Sequence, residues 1–409
     1  MKEPHAGRIQ NYARYCLNLN GYLKNPGDRR HHPEIPAQDL LWTILIGNIL
    51  RVGSFARMEW LARSAARAAL GVGTPFSDDT LAYFTERLDA GTTRAALAST
   101  LQQAKRNKAF ENTRFIGLAV DGTGAGRTDK PPCPLCHPIL DSKGAIHGHL
   151  HQCAMISVVG TGLTLPVDVE PYGPGDSEYA AGKRLLLRTV SHLGPRFADY
   201  VVADAKFATA PFLHAADEVN RPVIARLKEN LPELHAAAQA RFANQPPHAV
   251  FQVGGDRVEL WDADDFDPWE SLHWETVRVL RYRQHKPNGT VVEAYWLTNF
   301  SQRKLASLGL FHVAKSRWEI ENQGFNEAKN LYGMEHTVRG TRVPRAFRIC
   351  HHHPNSLLLE WLLILLAIVM ERLYRLRYLH RGNHRVPSAI DLLYTLWINL
   401  SCPPRQDSS

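Results

Sequence analysis

The chain has 409 residues, 44% of them hydrophobic and 22% charged, with a net charge of +8 and a pI near 9.2. This length can bury more than one hydrophobic core, so two or three domains are expected, and the basic excess favours a polyanionic partner. Six cysteines are too few for a disulfide scaffold, residues 1–5 do not open a signal peptide, and the longest apolar run (361–370) is too short to span a bilayer. We therefore expect a cytoplasmic protein with no membrane partner.

Residues 1–110 are predicted to form a helical domain. Apolar side chains recur there at helical spacing, and polar residues or proline stand where helices can begin. Arginines at positions 57, 63 and 67 fall on the outer face, where they could hold the end of a DNA element or form an ordinary solvated surface. The predicted helix boundaries, in chain order, are Pro36, Gly53, Ser54, Gly71, Ser77, and Thr92 or Thr93.

After Arg114 the pattern changes to strands. Residues 116–120, 153–159 and 163–169 read as consecutive antiparallel strands, followed by a helix over 178–193 and a strand that ends at Asp204. Three strands, a helix and a strand are the order of an RNase H-like sheet. The expected fold class is therefore α/β, a mixed sheet flanked by helices, with Asp121 and Asp204 on adjacent central strands.

Three acidic residues stand in contexts that suit a divalent-metal site. Asp121 follows the apolar run 115–120, Asp204 follows the run 200–203, and Glu321 lies in a helical segment. Two carboxylates at strand ends and one on a helix can hold a pair of Mg²⁺ or Mn²⁺ ions, which prefer oxygen ligands and support phosphoryl transfer. A lone aspartate after a strand is more commonly an ordinary turn residue.

Residues 250–300 are predicted to form a β-rich insertion between Asp204 and Glu321. The predicted strands are 250–253, 257–261, 274–283 and 291–299, with the last two joined by a turn at 287–289. Tryptophans in this region could stack on a base flipped out of DNA or could fill a small β core. They are Trp261, Trp269, Trp274 and Trp296.

Together the two aspartate strand ends and the helix that carries Glu321 resemble bacterial insertion-sequence transposases of the DDE type, over roughly residues 110–375. On that helix the family carries a Tyr-Arg-Glu-Lys signature. Arg317 and Glu321 keep its spacing, Lys329 falls one residue late, and Ala314 stands at the tyrosine position. Residues 320–330 also reproduce a string found in a subgroup, Ile-Glu-Asn-x-Gly-Phe-Asn-x-x-Lys-Asn.

The resemblance implies an RNase H-like catalytic domain, a metal triad of Asp121, Asp204 and Glu321, and double-stranded DNA as partner. Helical spacing places Arg317, Glu321 and Gly324 on one face, directs Glu319 away from it, and favours core positions for Trp318 and Phe325. The DNA comprises the terminal repeats of the element and the target, and a homodimer is implied because two ends are joined in one complex. The implied DNA contacts are Arg317, Lys329, Asn322 and Asn326.

A cysteine and histidine cluster lies between the two aspartate strands. Cys133-x-x-Cys136 followed by His151 about fifteen residues later has the spacing of a structural zinc site. The fourth ligand could be His137, His149 or Cys153, and a metal-free hairpin remains the alternative. The run of histidines at 351–353 has no cysteine nearby and is expected on the surface.

The predicted domains are 1–110, a helical DNA-end-binding domain; 111–205, the first part of the catalytic domain, with the Cys/His hairpin at 130–153; 206–310, the insertion; 311–375, the second catalytic part; and 376–409, a basic segment. Arginines at 372–385, with Tyr374 and Tyr378 among them, could contact phosphates or be a solvated face. The expected function is a cut-and-paste DNA transposase at the bacterial nucleoid. Its rivals are a plain metal-dependent nuclease and a catalytically silent DNA-binding protein.

Overall fold

The N-terminal part of the chain is helical, as predicted. The computed structural model describes residues 5–128, 133–335, 354–379 and 389–401. Arg57 and Arg63 are exposed on this part, and their role in DNA binding stays a prediction. The helices are α1 His5–Asn11, α2 Asn20–Lys24, α3 Ala37–Ile49, α4 Phe55–Arg63, α5 Ala66–Leu70, α6 Asp78–Arg87 and α7 Ala90–Arg106, with a π-helical turn at Tyr12–Cys16.

Side-chain caps explain where these helices begin. Ser54 and Ser77 each accept a hydrogen bond from the backbone N–H three residues on, which confirms both predicted starts. The predicted start of the fourth helix at Thr92 or Thr93 was wrong. Asp89 is the cap there, and its carboxylate accepts the backbone N–H of Thr92 at 2.7 Å.

Ten strands of the described residues form one mixed sheet. In spatial order they run β2–β3–β1–β5–β6–β10–β9–β8–β7, and β4 pairs with β3 beside β2. They are β1 Gly117–Thr128, β2 Cys136–Leu140, β3 Ile146–Val159, β4 Leu165–Tyr172, β5 Tyr200–Ala203, β6 Val223–Leu227, β7 Ala249–Val253, β8 Asp256–Phe266, β9 Val277–His285 and β10 Val291–Thr298.

The centre of the sheet has β1 antiparallel to β3 and parallel to β5, and β3 antiparallel to β4. Helix α8, Glu178–Leu193, connects β4 to β5 and has the predicted bounds, because Ser177 caps its first turn. Strand β1 is longer than predicted. Its residues beyond Asp121 continue to pair with the first half of β3.

The β-rich insertion extends the same sheet rather than forming a separate one. Strand β10 pairs antiparallel with β6, and β9, β8 and β7 follow as a meander. Trp274 lies before β9. The observed strand begins at Val277, three residues after the predicted start at 274. The division of the chain into domains stays a prediction. The helices around this region are α9 Ala210–Glu218, α10 Pro232–Ala243, α11 Ser307–Lys315 and α12 Asn326–Asn330.

A long apolar helix packs the N-terminal helices against the sheet. Helix α13, Pro354–Leu379, contacts α3, α6, α7 and β4, and its predicted apolar run at 361–370 is wholly buried. Each such leucine or isoleucine contributes about 1.5–3 kcal/mol relative to exposure. In the described part of the chain, no helix combines the length and apolarity that a bilayer crossing requires. Helix α14, Ala389–Ser401, follows; the histidines at 351–353 lie outside the described residues.

Candidate active site

The structure places Asp121 and Asp204 side by side, directly after the parallel pairing of β1 with β5 ends. The last paired residues of β1 and β5 are Val120 and Ala203, and each aspartate is the next residue of its chain. Adjacent strands lie about 4.8 Å apart, so the two aspartates are neighbours, although β1 continues past Asp121 in its pairing with β3. This is the adjacency that the strand order predicted.

Glu321 joins these aspartates through Arg317. The Arg317 Nη1 donates to Asp121 Oδ2 at 3.1 Å and to Glu321 Oε1 at 2.7 Å, so one guanidinium bridges a strand end and a helix. The expectation of a regular helix was wrong, because Ile320–Phe325 is a π-helical turn. Such turns widen a helix by one residue and occur often at functional sites. Arg317 and Glu321 nevertheless keep the predicted common face.

The pKa of Asp121 depends on its burial and on the charged groups around it. Burial raises the pKa of Asp121 to about 7; the Arg317 guanidinium and the backbone N–H of Gly122 oppose the rise, and the negative charges of Asp204 and Glu321 add to it. Asp121 is only 7% exposed. A bound cation would relieve the repulsion between buried Asp121 and the two partly exposed acids.

The three acids line a single cleft of about 410 Å³. The predicted DNA-contacting residues Asn322, Asn326 and Lys329 line it too. Sequence reasoning missed several further residues of this cleft, among them Thr123, Glu178 and Lys206.

Glu178 supplies a fourth carboxylate at the first turn of α8. Its Oε2 accepts from the Tyr172 hydroxyl at 3.3 Å and from Lys206 Nζ at 3.1 Å. A Cβ added to Gly122 would lie 2.1 Å from the Glu178 Cδ, so glycine leaves the room that this side chain fills. An acidic residue opening the helix between the two aspartate strands was the signal that could have found it.

Each carboxylate of the cleft has a basic side chain beside it. Arg317 serves Asp121 and Glu321, Lys206 serves Glu178, and Lys228 Nζ lies 3.9 Å from Asp204 Oδ1. Both lysines are more than half exposed. Surface pairs of this kind contribute little stability, so these cations can exchange partners at little cost.

Three of the four predicted zinc ligands meet in the structure. The Sγ atoms of Cys133 and Cys136 are 3.4 Å apart, and each lies 3.3 Å from His151 Nε2. Cys153 does not join them. It is buried two residues further along β3, opposite Thr123 of β1 and Pro171 of β4.

Two other histidines of this hairpin have distinct environments. His137 Nε2 lies 2.9 Å from the Tyr172 carbonyl oxygen, which accounts for that ring nitrogen. His149 is buried, and its Nδ1 has no hydrogen-bond partner among the described residues.

The structure moves several predicted positions. Trp318, expected in the core, is 45% exposed, with the Arg317 guanidinium 4.7 Å from its ring centroid, whereas Phe325 is buried as expected. Glu319 points away from the cleft, as predicted, and accepts hydrogen bonds from Gly160 N and Thr164 Oγ1.

The tryptophans of the insertion divide between core and partial exposure. Trp261 and Trp296 are buried, which supports the core interpretation for both. Trp269 and Trp274 are half-buried, and Trp274 Nε1 donates to Asp217 at 2.8 Å. The described contacts leave none of them in the cleft.

The proposed phosphate-contacting surface near the C-terminus loses two members. Arg372 is buried and donates to the carbonyl oxygens of Thr164 and Gln323 and to Glu327, and Tyr374 is fully buried. A solvated surface was therefore the wrong interpretation for these two residues, whereas Arg377 on the same helix is exposed. Positions 380–388 lie outside the described residues.

Comparisons with known proteins find a resemblance among solved structures. No protein-family model matches the chain, and no curated protein matches it. Among solved structures, the chain is similar to the piggyBac transposase in its synaptic complex with hairpin DNA, at 12% identity and a TM-score of 0.46. The similarity covers 97% of this chain and 77% of that chain. At this identity single residues cannot be matched between the two proteins.

Proposed function

We propose that the chain is a DNA transposase that cuts and joins the ends of a DNA element by divalent-metal phosphoryl transfer. The observation that carries the proposal is the convergence of Asp121, Asp204 and Glu321 on one cleft. These residues come from two strands and a helix more than a hundred residues further on. A structural role for all three would not require them to share one cleft.

The sheet supports an RNase H-like catalytic domain. Around the cleft the strand order β4–β3–β1–β5–β6 has the first three strands antiparallel and the last three parallel, with α8 as the crossover. This topology brings the ends of β1 and β5 together at the centre of the sheet. The helix from Arg317 to Lys329 supports the proposal further, because its sequence resembles the signature of insertion-sequence transposases.

The donor set fits two magnesium or manganese ions, because hard carboxylate oxygens are the ligands those ions prefer. Asp121, Asp204 and Glu321 would hold them. When bound, such ions polarise the phosphoryl oxygens and activate the attacking hydroxyl or water. Asp121 is buried near two other acids, and the Arg317 guanidinium is the cation paired with it. A divalent ion has a higher charge than the guanidinium and could replace it as the partner of this carboxylate.

The basic side chains would receive the DNA backbone. Lys206 and Lys228 extend from the rim of the cleft, and Lys329 lies within it. Once metal occupies the carboxylates, Lys206, Lys228 and the Arg317 guanidinium would be released to neutralise phosphates near the scissile bond, and Lys329, which pairs with Glu335, would add its charge from within the cleft. Asn322 and Asn326 add neutral hydrogen-bonding groups from the same helix.

A cleavage and joining assay tests the proposal. Purified protein is incubated with Mg²⁺ and linear DNA that carries the terminal repeats flanking its own gene, and products are resolved by size. Cleavage at the repeat boundaries followed by strand joining to target DNA is expected. The Asp204→Asn variant should lose both chemical steps and keep DNA binding, while Asp217→Asn, away from the cleft, should keep all three.

The rival functions give different results in the same assay. Cleavage without joining would favour a plain nuclease of the same fold, and binding without cleavage would favour a silent DNA-binding protein. Cutting by the Asp204→Asn variant would contradict the assigned site. We also propose that two copies assemble on paired DNA ends, in the bacterial nucleoid, and the mass of the protein–DNA complex checks the copy number.

A further inference from the structure

We propose that Cys133, Cys136 and His151 form a structural zinc site that fixes the β2–β3 hairpin beside the cleft. The site is separate from the carboxylates and does not depend on the transposase proposal. Its expected occupant is one Zn²⁺ ion per chain, since two thiolates and an imidazole are ligands that zinc binds well.

The spacing of the three ligand atoms leaves room for the ion. They are 3.3–3.4 Å apart, and tetrahedral zinc with ordinary bond lengths requires separations of about 3.5–3.8 Å. An outward shift of a few tenths of an ångström is therefore enough. A disulfide would require the two sulfur atoms about 2.05 Å apart, whereas the separation here is 3.4 Å.

The backbone already has the arrangement that presents these ligands together. A tight turn brings Cys136 N to the Cys133 carbonyl oxygen at 3.0 Å, and Cys136 pairs directly with His151 across the β2–β3 ladder. All three side chains are buried. The backbone hydrogen bonds of the turn and of the ladder therefore fix the positions from which the two thiols and the imidazole project.

The two buried cysteines of the hairpin form a small cluster of their own. They lie apart from the main hydrophobic core, and the partly buried Leu135 packs against both. A cluster of this size buries too little area to order a loop by itself, and a metal ion is the usual replacement for a missing core. Zinc binding would therefore contribute directly to the folding of this segment.

The zinc site is linked to the cleft through the end of β4. A Cβ on Gly173 would lie 2.4 Å from the Pro134 carbonyl oxygen, which shows how closely the cysteine turn approaches the backbone after β4. His137 contacts the carbonyl oxygen of Tyr172, and the Tyr172 hydroxyl donates to Glu178 in the cleft. An ordered hairpin thus supports the fourth carboxylate.

Metal content measured on the full-length protein tests the inference. After purification without chelators and dialysis, elemental mass spectrometry is expected to find about one zinc per chain. Cys133→Ser combined with Cys136→Ser should reduce this at least tenfold, and Cys16→Ser, a matched control at a cysteine outside the cluster, should leave it unchanged. Cys153→Ala should also keep the zinc, since Cys153 is not among the clustered ligands.

Hydrogen exchange provides a second readout that separates metal loss from unfolding. Removing the ion with a strong chelator should speed exchange at residues 133–151 and leave residues 155–159, in the core half of β3, protected. The inference is overturned if the wild-type protein contains no zinc, or contains iron instead. It is also overturned if the double serine variant keeps its zinc, or if protein purified under reducing conditions contains a Cys133–Cys136 disulfide.

Discussion

Replacing Arg317 by methionine should make the stability of the protein depend strongly on divalent metal. The methionine keeps most of the side-chain volume but removes the guanidinium that bridges Asp121 and Glu321 at 3.1 and 2.7 Å. Removing one partner of a buried ion pair costs about 3–5 kcal/mol. Because Glu321 is about one-third exposed and its share is screened by solvent, we expect a loss of about 2–4 kcal/mol without metal.

Magnesium should restore part of this loss. In the wild-type protein a bound cation competes with the guanidinium for the same carboxylates, whereas in the variant it meets no competitor. Each tenfold gain in affinity adds about 1.4 kcal/mol to the metal-dependent stabilisation when the ion is in excess. We therefore expect 10 mM Mg²⁺ to stabilise Arg317→Met by at least about 1 kcal/mol more than the wild-type protein.

Urea unfolding at constant pH, with and without Mg²⁺, measures both quantities. Arg94→Met is the matched control, since Arg94 also bridges two carboxylates, Asp168 at 2.9 Å and Glu170 at 3.3 Å, away from the cleft. That variant should lose stability but respond to Mg²⁺ as the wild-type protein does. Equal Mg²⁺ responses of the two variants would refute the shared cation site.

Three further outcomes are expected. Burial raises the pKa of Glu360 to about 8, so the folded protein keeps this carboxyl protonated at pH values where the unfolded chain has already released the proton. Stability therefore falls as the pH rises from the ordinary pKa of a carboxyl group towards 8. Glu360→Gln should therefore gain about 2–3 kcal/mol on the wild-type protein between pH 6 and 8 in urea titrations; parallel pH curves would show the reasoning wrong. Gly122→Ala should push Glu178 out of the cleft and weaken Mn²⁺ binding several-fold in a spin-resonance titration, which an unchanged affinity would contradict. His151→Gln should lower zinc retention and the exposed His147→Gln should not, because His151 Nε2 lies 3.3 Å from both cysteine sulfur atoms and His147 is not in the cluster; identical retention would exclude His151 as a ligand.

Local signals in the sequence predicted the parts of the fold that depend on local chemistry. Helix α8 has the predicted bounds, and strand β5 ends at Ala203, one residue before the predicted end, because a serine cap and an uninterrupted apolar run specify them without help from distant residues. The start of α7 was misjudged because Asp89 competes with two threonines for the cap, and sequence alone does not rank them.

Tertiary contacts decided what the sequence could not. Glu178 belongs to the cleft only because α8 begins next to Gly122, a contact between elements far apart in the chain. Trp318 is exposed because the π-helical turn that follows it interrupts the regular helix assumed from spacing. Arg372 is buried because Thr164, Gln323 and Glu327 surround it, and periodicity within one helix carries no information about them.

The pairing of β10 with β6 has a consequence for how such a protein could be shortened. Four residue pairs, from Leu227 with Tyr295 to Ile224 with Thr298, join the meander to β6. Strand β6 is the neighbour of β5, the strand that precedes Asp204. Excising residues 249–298 would therefore leave β6 as an unprotected margin with open hydrogen-bonding groups, prone to self-association. A shortened version of the protein would therefore have to retain at least one strand of the meander, so that the edge of β6 stays paired.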